Sequence, residues 1–118
     1  MPTVFLETNV KISNPQSFVL KLSKAAANIL GVPEGFVMVS YRYNEYFAFA
    51  GTFEPAFSLA LIAAGVITPE KNDVYCKELF AFFDRELGVG GDRGYIQFND
   101  ADRANLGFQG MTVAKLLG

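Results

Sequence analysis

Leu30-Gly31-Val32-Pro33 and Leu87-Gly88-Val89-Gly90 decide the fold. Each closes an apolar helical pattern and precedes a strand-like run, because glycine followed by proline or a second glycine stops a helix. Upstream of the first, Asn14-Pro15 is a cap with proline at the first helical position. Phe18, Leu22, Ala25, Ala26 and Ile29 then recur at three- and four-residue spacing, which predicts a helix to about Leu30. Thr3–Val10 reads as a strand before it and Phe36–Tyr43 as a strand after it. The second half repeats the plan. The run Ala56–Ala64 is a strand, and Thr68-Pro69-Glu70 caps a helix to about Leu87 that turns Val74, Leu79, Phe82, Phe83 and Leu87 inward. Tyr95–Asn99 is the last long strand.

The chain is thus two pseudo-symmetric β-α-β units, each with a right-handed crossover. The expected fold class is α/β (α+β): one four-stranded sheet with two helices on one face, in a single domain over residues 1–118. Tyr46–Ala50 and Leu106–Phe108 read as further short strands, and Met111–Gly118 as a short amphipathic extension. Runs such as Phe36-Val37-Met38-Val39 are apolar on both strand faces, the pattern of a sheet covered on both sides. Two helices cover only one face, so further copies of the chain are the expected cover for the other. Composition agrees: 51% of residues are hydrophobic and 12 are Phe, a large apolar load for one small domain.

Charge and absences narrow the function. The net charge is −2 with no Lys/Arg run, which leaves nucleic acid no electrostatic footprint. The longest apolar run, Ala56–Ile67, is broken by Ser58 and Gly65 and is shorter than the ~20 residues of a membrane span. No basic segment precedes an apolar one at the N-terminus, so no signal peptide is read. The expected location is cytoplasmic, with any release by a route independent of a signal peptide. There is no His, and Cys76 is the only cysteine. This excludes Ser-His-Asp and Cys-His catalysis, histidine metal sites, zinc clusters and intrachain disulfides. Gly88-Val89-Gly90-Gly91 lacks the Gly-Lys-Ser/Thr ending of a phosphate loop and reads as a helix-to-strand connection. Asp100 and Asp102 lack the further spaced acids of a calcium loop. Tyr41, Tyr43, Tyr46 and Phe47 read as one aromatic cluster at a strand edge or subunit contact.

Proton chemistry then falls to carboxylates, lysines, tyrosines, Cys76 or the N-terminal amine. Pro2 follows the initiator, and a small second residue permits removal of Met1. That exposes a prolyl secondary amine at the start of a strand. A model α-amino group titrates near ~7.7–8.0 and burial lowers it further. Such an amine is a general base at neutral pH without histidine.

Met1-Pro2, Thr8-Asn9-Val10, Gly31-x-Pro33, Phe49-Ala50-Gly51-Thr52-x-Glu54-Pro55, Asp92-Arg93-Gly94-Tyr95-Ile96 and Asn105-x-Gly107-Phe108 together resemble the tautomerase superfamily. The branch is that of macrophage migration inhibitory factor and D-dopachrome tautomerase. The resemblance implies a homotrimer whose sheets enclose a central barrel. It implies a cofactor-free site at each subunit interface, with Pro2 moving a proton between carbon and oxygen of a small aromatic or α-keto acid, of the phenylpyruvate or dopachrome type. By position, Tyr95 and Gln97 would come from the neighbouring subunit, with Gln97 where relatives often have Asn. Phe36 would be a pocket-wall aromatic, Ala64 a backbone contact, and Leu106, Phe108 and Val113 the apolar rim.

Two departures stand out. Val32 occupies the place of the family's pocket lysine, which pairs with the substrate carboxylate. Losing a hydrogen bond to a charged group costs about 1.5–3 kcal/mol, or roughly ten- to a hundredfold in affinity. Ala56-Phe57-Ser58-Leu59 replaces the Cys-x-x-Cys of some relatives, which removes dithiol chemistry there. Three readings follow: a tautomerase, a cytokine-like module that binds a protein receptor with a vestigial pocket, or a structural trimer.

Overall fold

Asn14 and Thr68 start the two long helices as the sequence predicts. In the computed structural model, which describes residues Met1 to Gly118, the Asn14 side chain accepts from the Ser17 N–H at 3.1 Å. Thr68 accepts from the Lys71 N–H at 3.2 Å. These bonds satisfy amides that the first turn leaves free. Helix α1 spans Pro15–Leu30 and α2 spans Pro69–Leu87. Gly31 and Gly88 end them in the left-handed region, at φ +70° and +68°. The Val32 N–H donates to the Ala27 carbonyl at 3.0 Å, the closing bond of a Schellman cap. That cap places an apolar residue against the last helical turn. Val32 packs on the core after α1, and Val89 is buried in the matching place after α2.

The strands are β1 (Thr3–Thr8), β2 (Met38–Tyr43), β3 (Phe57–Ala63) and β4 (Gly94–Asp100), in sheet order β2-β1-β3-β4. β1 and β2 are parallel, as are β3 and β4, while β1 and β3 run antiparallel at the centre. The two β-α-β units therefore meet about a pseudo-twofold at the β1–β3 pair. Period-2 alternation puts Val4, Leu6, Phe57, Leu59, Leu61 and Ala63 under the helices, where Phe18, Leu22, Leu79 and Phe83 meet them. Phe57 and Phe83 pack with ring centroids 4.5 Å apart.

The other face carries Phe5, Glu7, Met38, Ser40, Arg42, Ser58, Ala60, Tyr95 and Gln97. Nothing in a single chain covers it. Phe5 is 45% exposed and Met38 57%, beside a hollow of about 380 Å³ that includes Glu7, Ser40, Arg42 and Ser58. No helix is long and apolar enough to cross a membrane.

Four expectations need correction. Val74 is 56% exposed, and Tyr75 takes the inward place with Leu79, Phe82, Phe83 and Leu87. The Tyr75 hydroxyl donates to the Val66 carbonyl at 2.7 Å, so a polar-tipped side chain is buried without cost to its hydroxyl. Tyr46–Ala50 is not a strand. Ala50 and Gly51 have φ of +53° and +74° and form a tight turn closed by Phe49 and Thr52. Both central residues at positive φ suit a two-residue hairpin turn. The first strand after α1 begins at Met38, because Glu34–Phe36 coil into a 3-10 turn. The four aromatics do not form one cluster. Tyr41 lies against Phe18 and binds Val10 and Ile12, whereas Tyr46 is 78% exposed on a turn.

The segments Thr8-Asn9 and Arg93 act as clamps on the loop from Phe47 to Ala56. The Asn9 amide donates to the carbonyls of Phe47, Phe53 and Glu54, and its oxygen accepts from the Ala56 N–H. Arg93 donates to the carbonyls of Phe49, Glu54 and Pro55 from the other side. Buried Thr8 donates to the Ala56 carbonyl at 2.6 Å. After β4 the chain makes a 3-10 turn at Arg103–Asn105, then a small hairpin of β5 (Gly107–Phe108) and β6 (Met111–Thr112). A one-turn helix α3 (Val113–Leu116) follows, anchored by buried Val113.

Candidate active site

Pro2 stands one residue before β1, and its side chain is fully buried. Its carbonyl accepts from the Met38 N–H at 3.0 Å, which extends the β1–β2 ladder to the strand's first residue. The N-terminus is fixed there rather than trailing free. Above it opens a cleft of about 290 Å³. Met1, Pro2 and Thr3 form one side, the segment Gly35-Phe36-Val37-Met38 a second, and Leu106-Gly107-Phe108 the third. Phe36 and Phe108 meet edge to face across it, with centroids 5.9 Å apart. The 3-10 turn that displaced Phe36 from β2 is what aims this wall.

With Met1 in place, the Pro2 nitrogen is a tertiary amide and the free amine belongs to Met1. Burial holds that ammonium below its ordinary value of 8.0, and the Arg103 guanidinium adds to the effect. A cation loses hydration in an apolar cleft, and a second positive charge repels it. Removing Met1 would move the amine one residue deeper into the same surroundings.

The cleft brings together four of the predicted residues: Pro2, Phe36, Leu106 and Phe108. Val32 is not among its lining, because its place after the helix cap directs it to the core. Val113 is buried beneath the hairpin and does not border the cleft. Ala64 directly follows β3 and precedes Gly65, the residue that Arg103 approaches. Tyr95 and Gln97 are on β4, two strands from β1. Tyr95 stands in register with Ser58 and, through it, Glu7. That is roughly 17 Å along the strands from Pro2 and ~10 Å across them. Tyr95 is 73% exposed and packs on Phe49 at 5.1 Å, so one chain does not deliver it to its own cleft.

Sequence reasoning missed Arg103. Its sequence neighbours Asp100 and Asp102 drew attention as a weak calcium pattern. The Asp102 side chain instead accepts from the Ala104 N–H at 2.8 Å, starting the turn that carries Arg103. No local spacing marks that arginine, because its position is set beside the distant Gly65.

Two β-α-β units sharing one sheet, with a proline cleft at the start of β1, are what the resemblance to the tautomerase superfamily predicts. Comparison with known proteins agrees. Residues 1–114 match the family described as "Macrophage migration inhibitory factor (MIF)". The chain is 34% identical over 113 residues to a macrophage migration inhibitory factor homolog of Trichuris trichiura, covering 95% of this chain and 99% of that one. It is 31% identical over 115 residues to the macrophage migration inhibitory factor of Rattus norvegicus, covering 97% and 100%. Among solved structures, the Trichinella spiralis factor superposes with a TM-score of 0.87 at 30% identity, over 93% of this chain and 98% of that one. A homologue from Prochlorococcus marinus gives 0.86 at 25% identity, over 94% and 98%. The chain belongs to the macrophage migration inhibitory factor family, within the tautomerase superfamily. Membership supports a tautomerase or cytokine-like role.

Proposed function

We propose that this protein is a cofactor-free keto–enol tautomerase that uses the Pro2 amine as acid and base once Met1 is removed. The observation that carries the reading is the buried Pro2 at the base of an apolar cleft, where an amine is held below its ordinary pKa. A base so poised takes a proton from the carbon next to a carbonyl and returns it to oxygen, or the reverse. The Phe36 and Phe108 walls suit an aromatic substrate of the phenylpyruvate or dopachrome type.

In this reading the chain works as a homotrimer. Other copies cover the open sheet face, and a neighbour's Tyr95 and Gln97 complete each cleft. The exposure of Phe5, Met38 and Tyr95 in a single chain supports such an assembly.

The test is phenylpyruvate conversion, followed by ultraviolet absorbance, on protein shown by intact mass to lack Met1. A Pro2→Gly variant should lose about a hundredfold or more, the scale of a general base. Equal rates in the two proteins would reject the proline mechanism. No turnover by correctly processed protein would instead favour the receptor-binding reading. The placement of Val32 away from the cleft keeps that second reading in view. Receptor binding that survives Pro2→Gly is its signature.

A further inference from the structure

We propose that Arg103 is the residue of this chain that binds the substrate's acid group at the Pro2 cleft. The inference deepens the tautomerase reading by naming the cation that would hold the substrate's acid group.

The lining of the cleft is mostly apolar and includes no Lys or Arg side chain. Val32 supplies none, since its side chain packs on the core. Arg103 sits on the 3-10 turn that runs straight into Leu106, Gly107 and Phe108, the third wall of the cleft. Its guanidinium rests against Gly65: a Cβ at that position would stand 2.9 Å from Nη2. A side chain there would shift the guanidinium aside, so the bare glycine after Ala64 leaves room for the position it takes. The charge also reaches the N-terminal nitrogen, where it disfavours the ammonium.

The guanidinium is uncommitted. The chain's ion pairs are Lys21–Glu86 and Arg85–Glu86, and no carboxylate pairs with Arg103. Arg93, by contrast, spends its donors on three loop carbonyls. A free planar fork of donors fits a carboxylate with two parallel hydrogen bonds. One cation beside an otherwise apolar, aromatic-walled cleft selects a ligand with one anionic end and a flat apolar body.

The experiment titrates 3-phenylpropanoate and its neutral amide into the processed protein and into Arg103→Leu and Arg103→Lys, following binding by calorimetry and NMR. The wild type should prefer the acid. Arg103→Leu should weaken acid binding about ten- to a hundredfold and leave the amide unchanged, the scale of a lost charged hydrogen bond. Arg103→Lys should recover part of the preference. Equal acid affinity in wild type and Arg103→Leu overturns the proposal, as does a wild type that binds the acid no better than the amide. Phenylpyruvate turnover on the same proteins separates the two ideas. Acid selectivity through Arg103 without turnover would reject the tautomerase and keep the anion site. Turnover with unchanged KM in Arg103→Leu would keep the tautomerase and reject the site.

Discussion

Two titrating groups carry predictions at the scale of single residues. The N-terminal ammonium lies below its ordinary 8.0, chiefly through burial and secondarily through Arg103. Between the folded value and 8.0 the unfolded chain binds more protons, so this group contributes stability above 8.0 that is lost as pH falls through the folded value. An NMR titration of folded protein that retains Met1 should show the amine midpoint below 8.0, rising toward it in Arg103→Leu. A wild-type midpoint at or above 8.0 would contradict the described environment. The Cys76 thiol is displaced the other way. Burial pushes it up from 9.0 and Asp73 adds to the effect, because both disfavour the thiolate. The thiolate is the nucleophile, so iodoacetamide should alkylate Cys76 more slowly than free cysteine at pH 7.5. Faster alkylation would sink that description. Cys76 is partly buried on α2 and has no part in the cleft.

At the scale of elements, what was legible was what local chemistry controls. Asn14, Thr68 and the two terminal glycines mark α1 and α2 because caps act within a few residues. The repeated β-α-β plan follows from those marks. The misses arose where a distant contact overrode a local pattern. Tyr75 displaced Val74 from the inward stripe because Val66 offers its carbonyl. The run Tyr46–Ala50 failed as a strand because Ala50 takes the left-handed conformation that glycine usually marks. The cleft was half legible. Pro2, Phe36, Leu106 and Phe108 converge, whereas the proposed partner Arg103 lies outside the lining, beside Gly65. Gly94 is a similar case of sequence meaning that only packing reveals. A Cβ there would collide with the buried Phe57 ring, so the first residue of β4 must be bare for that ring to lie flat. Gly94→Ala should cost about 1–3 kcal/mol, the range for overpacking a core. Urea denaturation would measure it, and a change below about 0.5 kcal/mol would mean that the ring yields easily.

The whole molecule leaves one sheet face open and sets its candidate groups on different strands, Pro2 beside β1 and Tyr95 and Gln97 on β4. If copies associate through that face, sedimentation should give a trimer mass, and specific activity should fall on dilution below the dissociation constant. A monomer that turns over at full rate would reject the shared cleft. If a neighbour's Tyr95 completes each cleft, the separation of Pro2 from Tyr95 has a further consequence, in genetic terms. A Pro2→Gly chain keeps a sound Tyr95, and a Tyr95→Ala chain keeps a sound Pro2. Each alone builds only defective clefts, yet mixed assemblies would pair a good proline with a good tyrosine at some of them. Two inactive alleles of one gene would then restore each other in the same cell, and a single defective allele would spread its damage into its neighbours' sites.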